Sequence, residues 1–242
     1  MKWYIGCSGF HYKEWKGIFY PEGLPQRKWF EYYCSRFDTL ELNVTFYRFP
    51  QLKMLQNWYD SSPTHFIFTA KAPRLITHYK RFRDCDSLLS DFYRTTVDGL
   101  GSKLGAVLFQ LPAIMRYEPE LLDSIVKSLS RDITNVIEFR HPSWWTKEVY
   151  NKLKRRRVIF SGISHPQLPR NAVINGSTVY YRFHGVPLLY YSAYENRNLK
   201  SVIQPYLQDG RIKKAFIFFN NTANQAAIKN AEWMKKYTRG ER

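Results

Sequence analysis

Acidic residues are scarce in this chain. Its 242 residues hold 20 Asp and Glu against 37 Lys and Arg, a formal net charge of +17. Such a surplus favours polyanions at low salt and supports solubility without bearing on fold. Cysteine is scarcer: Cys7, Cys34 and Cys85 are odd in number, far apart, and form no CxxC pair. Neither a disulfide framework nor a thiolate zinc site is suggested. No run of about 18 apolar residues occurs, and the opening MKWYIGCSG lacks the longer apolar segment and cleavage site of a secretory signal. The expectation is a soluble chain in a reducing cytoplasm, with no membrane partner. Walker, GxGxxG, GxSxG and HExxH motifs are missing, which removes the standard phosphate-loop, dinucleotide, serine-hydrolase and zincin classes. No helix-turn-helix or zinc-finger pattern is present either.

What the chain does have is apolar and aromatic bulk, 44% and 17% by count, ample for one core over residues 1–242. Eight short apolar or aromatic runs recur: 3–9, 39–46, 65–73, 105–112, 135–141, 158–164, 179–185 and 215–221. Helical patterns lie between most of them, such as CDSLLSDFYRTTV from Cys85 and PELLDSIVKSL from Pro119. Alternation of strand and helix with short connections predicts a parallel sheet. Eight units in about 240 residues match a closed (β/α)8 barrel of TIM type, although a doubly wound open sheet shares the local signature. The barrel is the expected fold, as one domain, with a short or missing sixth helix in HPQLPRNAVINGS after the sixth strand.

The stretch NVIEFRH carries Glu138 and Arg140 two residues apart in an otherwise apolar strand. Alternate side chains of a barrel strand point inward, so both face the interior while Ile137 and Phe139 meet helices. The same parity selects Glu41, Asn43 and Thr45 on strand two, Thr69 and Lys71 on strand three, and Gln110 on strand four. It selects Arg182 and His184 on strand seven and Asn220 on strand eight. All fall toward strand C-termini, where barrel enzymes assemble their sites. Three cations (Lys71, Arg140, Arg182) against two acids (Glu41, Glu138) leave a positive surplus suited to a phosphate or carboxylate, because an unpaired buried charge is costly. The expected roles follow. Arg140, Arg182 and Lys71 hold an anion, Glu138 is the general base or acid, and His184 is its proton-transfer partner. Asn43, Gln110 and Asn220 orient hydroxyls or a carbonyl. A lysine in the position of Lys71 also allows Schiff-base chemistry. The plainer alternatives are an internal salt-bridge network and, for Asn220 and Asn221, a helix cap. A metal held by Glu138, His184 and Glu41 suits zinc or manganese chemically, but three nearby cations oppose it, so no metal is expected and no cofactor is named.

The aromatic loops GFHYKEWKGIFYP (9–21) and HPSWW (141–145) are expected at the same mouth, where Tyr12, Trp15, Trp144 and Trp145 would stack on a base or sugar, or form an apolar lid. HYKRFR (78–83) follows strand three and belongs there too. KLKRRR (152–157) and RIKK (211–214) precede strands and belong at the other end, where last-turn cations answer the helix dipole. The leading expectation is an enzyme or binder for a small anionic substrate of the sugar phosphate or nucleotide class. The alternative is a nucleic-acid-binding barrel.

The strings IGCSGFHYKEWKGIFYPEGLP, ELNVTFYRFP, FTAKAPRLITH, GAVLFQLP, EFRHPSWW, YYRFHG and FFNNT, the last followed by Asn230 and Ala231, resemble the YecE-like family, also called domain of unknown function 72. The resemblance runs from first strand to last helix. It implies a TIM-type barrel of unestablished role, with distant likeness to sugar isomerases or barrel endonucleases, so that isomerase and phosphoester hydrolase are the implied activities. Its characteristic positions correspond here to Glu41, Asn43, Lys71, Gln110, Glu138, Arg140, His184, Asn220 and Asn221. One departure stands out: where the family usually shows an acid after strand six, this chain has Ser164 and His165, which weakens metal and acid/base roles there.

Overall fold

The computed structural model describes residues 1–241. Eight strands, β1 (Lys2–Cys7), β2 (Thr39–Leu42), β3 (Ile67–Lys71), β4 (Leu104–Gln110), β5 (Asn135–Glu138), β6 (Ile159–Ser164), β7 (Thr178–Phe183) and β8 (Lys214–Phe219), follow one another in the order β1-β8-β7-β6-β5-β4-β3-β2. A parallel bridge from Ser8 to Glu41 joins the end of β1 to β2. This is the (β/α)8 TIM-type fold. Its helices are α1 (Trp29–Arg36), α2 (Val44–Tyr47), α3 (Leu52–Ser61), α4 (Asp86–Leu100), α5 (Pro119–Ser128), α6 (Lys147–Arg155), α7 (Asn196–Gln208) and α8 (Ala226–Thr238). Residues 165–177, between β6 and β7, contain no helix, as expected of the Pro-containing segment. Among the described residues no helix is long and apolar enough to cross a membrane.

Local chemistry explains the elements. The strands are apolar on both faces because each is covered twice, and β6 is buried at every position. α5 starts with Pro119 in its first turn, carries Glu120 there and Lys127 in its last turn, and buries Leu122, Ile125 and Val126 at helical spacing. At α6 the Thr146 hydroxyl accepts from the Val149 amide at 3.2 Å, a cap contributing on the order of 1 kcal/mol.

The chain divides into two compact units, Met1–Glu41 with Gly162–Arg242, and Leu42–Ser161. In the first, β8 pairs with β1 and β7, and α8 packs on β1 and β8. An aromatic core fills it: Tyr20 stacks on Trp29 at 4.5 Å, and Trp15, Tyr33 and Phe37 are wholly buried. Gly6 is required here, because a methyl group would strike the Thr39 carbonyl and the Tyr33 hydroxyl. In the second unit, β4 pairs with β3 and β5 in a register that sets Lys71 beside Leu108 and Gln110 beside Glu138, and α3 packs on α4.

Two expectations about strand ends change. The run from 39 to 46 is not one strand: β2 stops at Leu42 and Val44–Tyr47 forms a helical turn. The Thr45 hydroxyl, donating to the carbonyls of Leu42 at 2.9 Å and Lys71 at 2.6 Å, holds that turn. Val44 therefore lies exposed and not packed under a helix. Likewise β5 stops at Glu138, so Arg140 lies just past the strand.

Candidate functional site

In the Leu42–Ser161 unit, polar side chains gather at the C-terminal ends of three consecutive strands. Lys71 closes β3, and its Nζ donates to Gln110 Oε1, at the end of β4, across 2.7 Å. The same ammonium lies 4.0 Å from the centre of the Phe46 ring, which the α2 turn delivers to it. Gln110 is register partner to Glu138 at the end of β5, and Arg140 Nε donates to Glu138 Oε1 at 2.6 Å. Glu138 is wholly buried and the Arg140 side chain is 10% exposed. One carboxylate here stands with two cations, the composition expected for a seat that accepts an anion.

A residue the sequence did not single out belongs to this group. His78 sits on a turn of π-helix, Leu75–Tyr79, a feature often found at functional sites. Its ring meets Phe46 edge-on at 5.1 Å, and its Nδ1 lies 2.8 Å from the Thr77 hydroxyl. Burial, then the charges of Lys71, Arg140 and Arg74, push its pKa down to about 4. His78 is thus a neutral imidazole at physiological pH, and the charges that act on it are those of Lys71, Arg140 and Arg74. Asn43, half-buried just past β2, has a buried Oδ1 with no hydrogen-bond partner, an acceptor that a ligand hydroxyl could satisfy.

The Met1–Glu41 and Gly162–Arg242 unit holds a second polar group. Arg182 donates to Glu41 through Nε at 3.1 and 3.0 Å and through Nη2 at 2.6 Å, and neither side chain has any exposure. Ser8 Oγ at 2.6 Å and Tyr180 Oη at 2.5 Å also donate to that carboxylate. With four side chains interlocked and no solvent access, the Arg182 charge is already answered. Arg182 therefore secures the interior of β7 and is not the spare cation that the surplus of basic residues suggested.

His184 is also wholly buried. Arg182 Nη1 approaches its Nε2 at 3.3 Å, and the Asn220 amide lies 2.9 Å from its Nδ1. A guanidinium can only donate, so Nε2 is the acceptor in the Arg182 contact, while Asn220 Nδ2 faces Nδ1 on the other side of the ring. Asn221 does not cap a helix, since α8 begins at Ala226. Its Nδ2 donates to the Ser192 carbonyl at 2.9 Å and to Asn230 Oδ1 at 3.2 Å. At the end of β6, where the family usually shows an acid and this chain does not, Ser164 Oγ accepts from Tyr194 Oη at 2.8 Å, and the His165 ring lies 6.3 Å from that of His184. These are positioning contacts.

The aromatic loops are structural at their largest members. Trp15 is wholly buried and donates from Nε1 to the Asn224 carbonyl at 3.0 Å. It offers no face to a ligand, because it packs among Tyr12, Phe19 and Tyr20. Trp144 is buried against Phe139 at 4.2 Å. Tyr12 is half-buried, and its hydroxyl donates to the Ser8 carbonyl at 2.5 Å. Among the described residues no group of three or more His, Cys, Asp and Glu could hold a metal ion.

A TIM-type barrel with ionisable side chains at its strand ends defines the class of this protein. The family model "Protein of unknown function DUF72" matches residues 4–242, and the chain belongs to that family. The chain is similar to UPF0759 protein YunF of Bacillus subtilis (strain 168), 26% identical over 96% of this chain and 93% of that protein. It is 30% identical to UPF0759 protein YecE of Escherichia coli (strain K12) over 52% of this chain, a match that spans 50% of the relative's length. Among solved structures, a DUF72 family protein from Thermotoga maritima aligns with a TM-score of 0.88 and 27% identity, covering 99% of this chain and 100% of that one. Another, from Enterococcus faecalis V583, aligns with a TM-score of 0.83 at 18% identity, over 98% and 95%.

Proposed function

We propose that the ends of β3, β4 and β5 bind a small anionic substrate of the sugar phosphate or nucleotide class. The observation that carries this reading is two polar pairs at neighbouring strand ends, Lys71 with Gln110 at 2.7 Å and Arg140 with Glu138 at 2.6 Å, set beside one another by the register of β4 and β5. Lys71 and Arg140 hold the anion, and Gln110 and Asn43 orient hydroxyls. Glu138, steered by Arg140, is the acid or base, a role compatible with isomerase or phosphoester hydrolase chemistry. The test is calorimetric titration with a pentose phosphate and a nucleoside monophosphate. Lys71→Met and Arg140→Met should each weaken binding by about tenfold or more, the worth of one charge-assisted hydrogen bond. Glu138→Gln should leave binding in place and remove turnover. Unchanged affinity in both cation variants would refute the assignment.

A second reading, a nucleic-acid-binding protein with endonuclease-like chemistry, is favoured by one feature of the loop after β3. Arg81 and Phe82 adopt φ of 51° and 63°, which buries Phe82 and leaves Arg81 and Arg83 exposed beside Arg116 around a cleft of about 210 Å³. If this loop carries function, affinity for a generic oligonucleotide falls steeply with salt, and the slope collapses in the Lys80→Gln/Arg81→Gln/Arg83→Gln variant.

A further inference from the structure

A cleft of about 620 Å³ opens at the N-terminal end of β5, away from the Glu138 end. Asp123 from α5, the residues 130–135 that lead into β5, and the end of α6 with its following turn form its walls. Five cationic side chains line it, Arg131, Lys152, Arg155, Arg156 and Arg157, against the single carboxylate of Asp123. Lys152 meets Asp123 at 2.5 Å, and one carboxylate cannot answer five positive charges.

The helix-dipole account of KLKRRR covers only part of this. Of the basic residues in the last turn of α6, Lys152 and Arg155 line the cleft. Arg156 and Arg157 lie past the helix, Arg157 with φ 57°, and Arg131 comes from a different segment altogether. A dipole acts on its own last turn and does not gather arginines from a neighbouring loop. The floor, meanwhile, makes no demand on a ligand. The Asn135 amide is satisfied by Tyr93 Oη at 2.6 Å and by the carbonyls of Ser130 and Ile133 at 2.6 and 2.9 Å.

The lining also states what kind of ligand fits. The volume lies in the range of small-molecule sites, while Ile133 is the one aliphatic residue among the lining residues and none is aromatic. A base or sugar ring would find nothing to stack on. Dense negative charge would find guanidinium forks suited to paired phosphate oxygens.

We infer that this cleft is a binding site for a di- or triphosphate group, recognised through its charge and not through any attached base. The group could arrive as inorganic polyphosphate or as the tail of a nucleotide, and the experiment separates these sources. Binding of tripolyphosphate and of a nucleoside triphosphate to the full chain is measured by titration calorimetry at physiological ionic strength. The two should bind with affinities within about threefold of each other. Replacing Arg131, Arg155 and Arg156 by Gln should weaken both by about tenfold or more, since a single charge-assisted hydrogen bond to phosphate is worth a factor of that order. The Lys53→Gln/Arg197→Gln/Lys229→Gln variant removes equal charge from exposed positions elsewhere and should bind as the wild type does. Circular dichroism of each variant checks the fold, which these partly or fully exposed residues should not disturb. The inference is overturned if the cleft variant binds tripolyphosphate as tightly as wild type, or if the control variant is weakened as much. It is equally overturned if, in the Lys71→Met/Arg140→Met background that silences the site at the ends of β3 to β5, the nucleoside triphosphate binds far more tightly than tripolyphosphate, since the base would then be what is recognised. Lys71→Met/Arg140→Met leaves the cleft intact, so tripolyphosphate binding there survives whatever becomes of the site at the ends of β3 to β5.

Discussion

Replacing Arg182 by Met removes the cation from a carboxylate that has no access to water. Glu41 would keep the Ser8 and Tyr180 hydroxyls, at 2.6 and 2.5 Å, but not the three guanidinium hydrogen bonds of 2.6 to 3.1 Å. Both side chains are fully buried. Leaving one member of such a pair uncompensated costs about 3–5 kcal/mol, a large share of the roughly 5–15 kcal/mol that separates folded from unfolded chains. Glu41→Gln should cost a similar amount, because it strands the guanidinium instead. The double variant Glu41→Gln/Arg182→Met contains no buried charge at this point, so its destabilisation should fall well below the sum of the singles, with a coupling of about 2 kcal/mol or more. Ser8→Ala and Tyr180→Phe, which each delete one hydrogen bond to a charged acceptor, should cost about 1.5–3 kcal/mol. Urea denaturation followed by circular dichroism and by tryptophan fluorescence gives all five values, with agreement of the two probes checking for a single transition. Single variants within about 1 kcal/mol of wild type, or effects that simply add, would refute the idea that the pair is a sealed neutral unit.

Three further outcomes are expected. Unfolded His78 takes up a proton near 6.5, and folded His78 only near 4. Between those values the unfolded state binds more protons, so its contribution to stability is present above 6.5 and is lost as pH falls toward 4. The difference in denaturation midpoint between wild type and His78→Gln, followed from pH 7 to pH 4, should shift in that direction and only in that window. Lys103→Met should cost about 1–3 kcal/mol in urea denaturation, since the buried ammonium donates to the carbonyls of Tyr59 and Ser62 and to the Ser62 hydroxyl, and those acceptors would be left without their donor. Trp15→Phe should lower the thermal midpoint while leaving pentose phosphate affinity unchanged, as expected of a ring packed in the core; weaker affinity at equal stability would restore it to the binding surface.

The strands were legible because parallel strands covered on both faces become short apolar runs, and the polar exceptions within them marked the strand ends. Tyr180 was equally legible, since it shares the parity of Arg182 and His184, yet a tyrosine in an aromatic strand carries no polar signal by itself. Other features depend on contacts that no local pattern encodes. TLELNVTF alternates like a strand through Phe46, but the bonds from Thr45 to the Leu42 and Lys71 carbonyls hold its second half as a helical turn. Glu41 and Arg182 are 141 residues apart, so inward parity could place each in the interior without showing that they neutralise one another. His78 read as part of a basic loop, whereas its packing on Phe46 and the cations around it make it neutral. In Trp15 the aromatic signal was strong but ambiguous, because a ring that can stack on a ligand can also stack in a core.

The most direct test of the proposed site is the anomalous difference density of crystals soaked in tungstate, an electron-dense stand-in for phosphate. A peak is expected within about 4 Å of Lys71 Nζ and the Arg140 guanidinium, the reach of a charge-assisted contact to a bulky oxyanion, and no such peak in Lys71→Met/Arg140→Met. Tungstate bound elsewhere on this strongly basic chain while that position stays empty would contradict the proposed site.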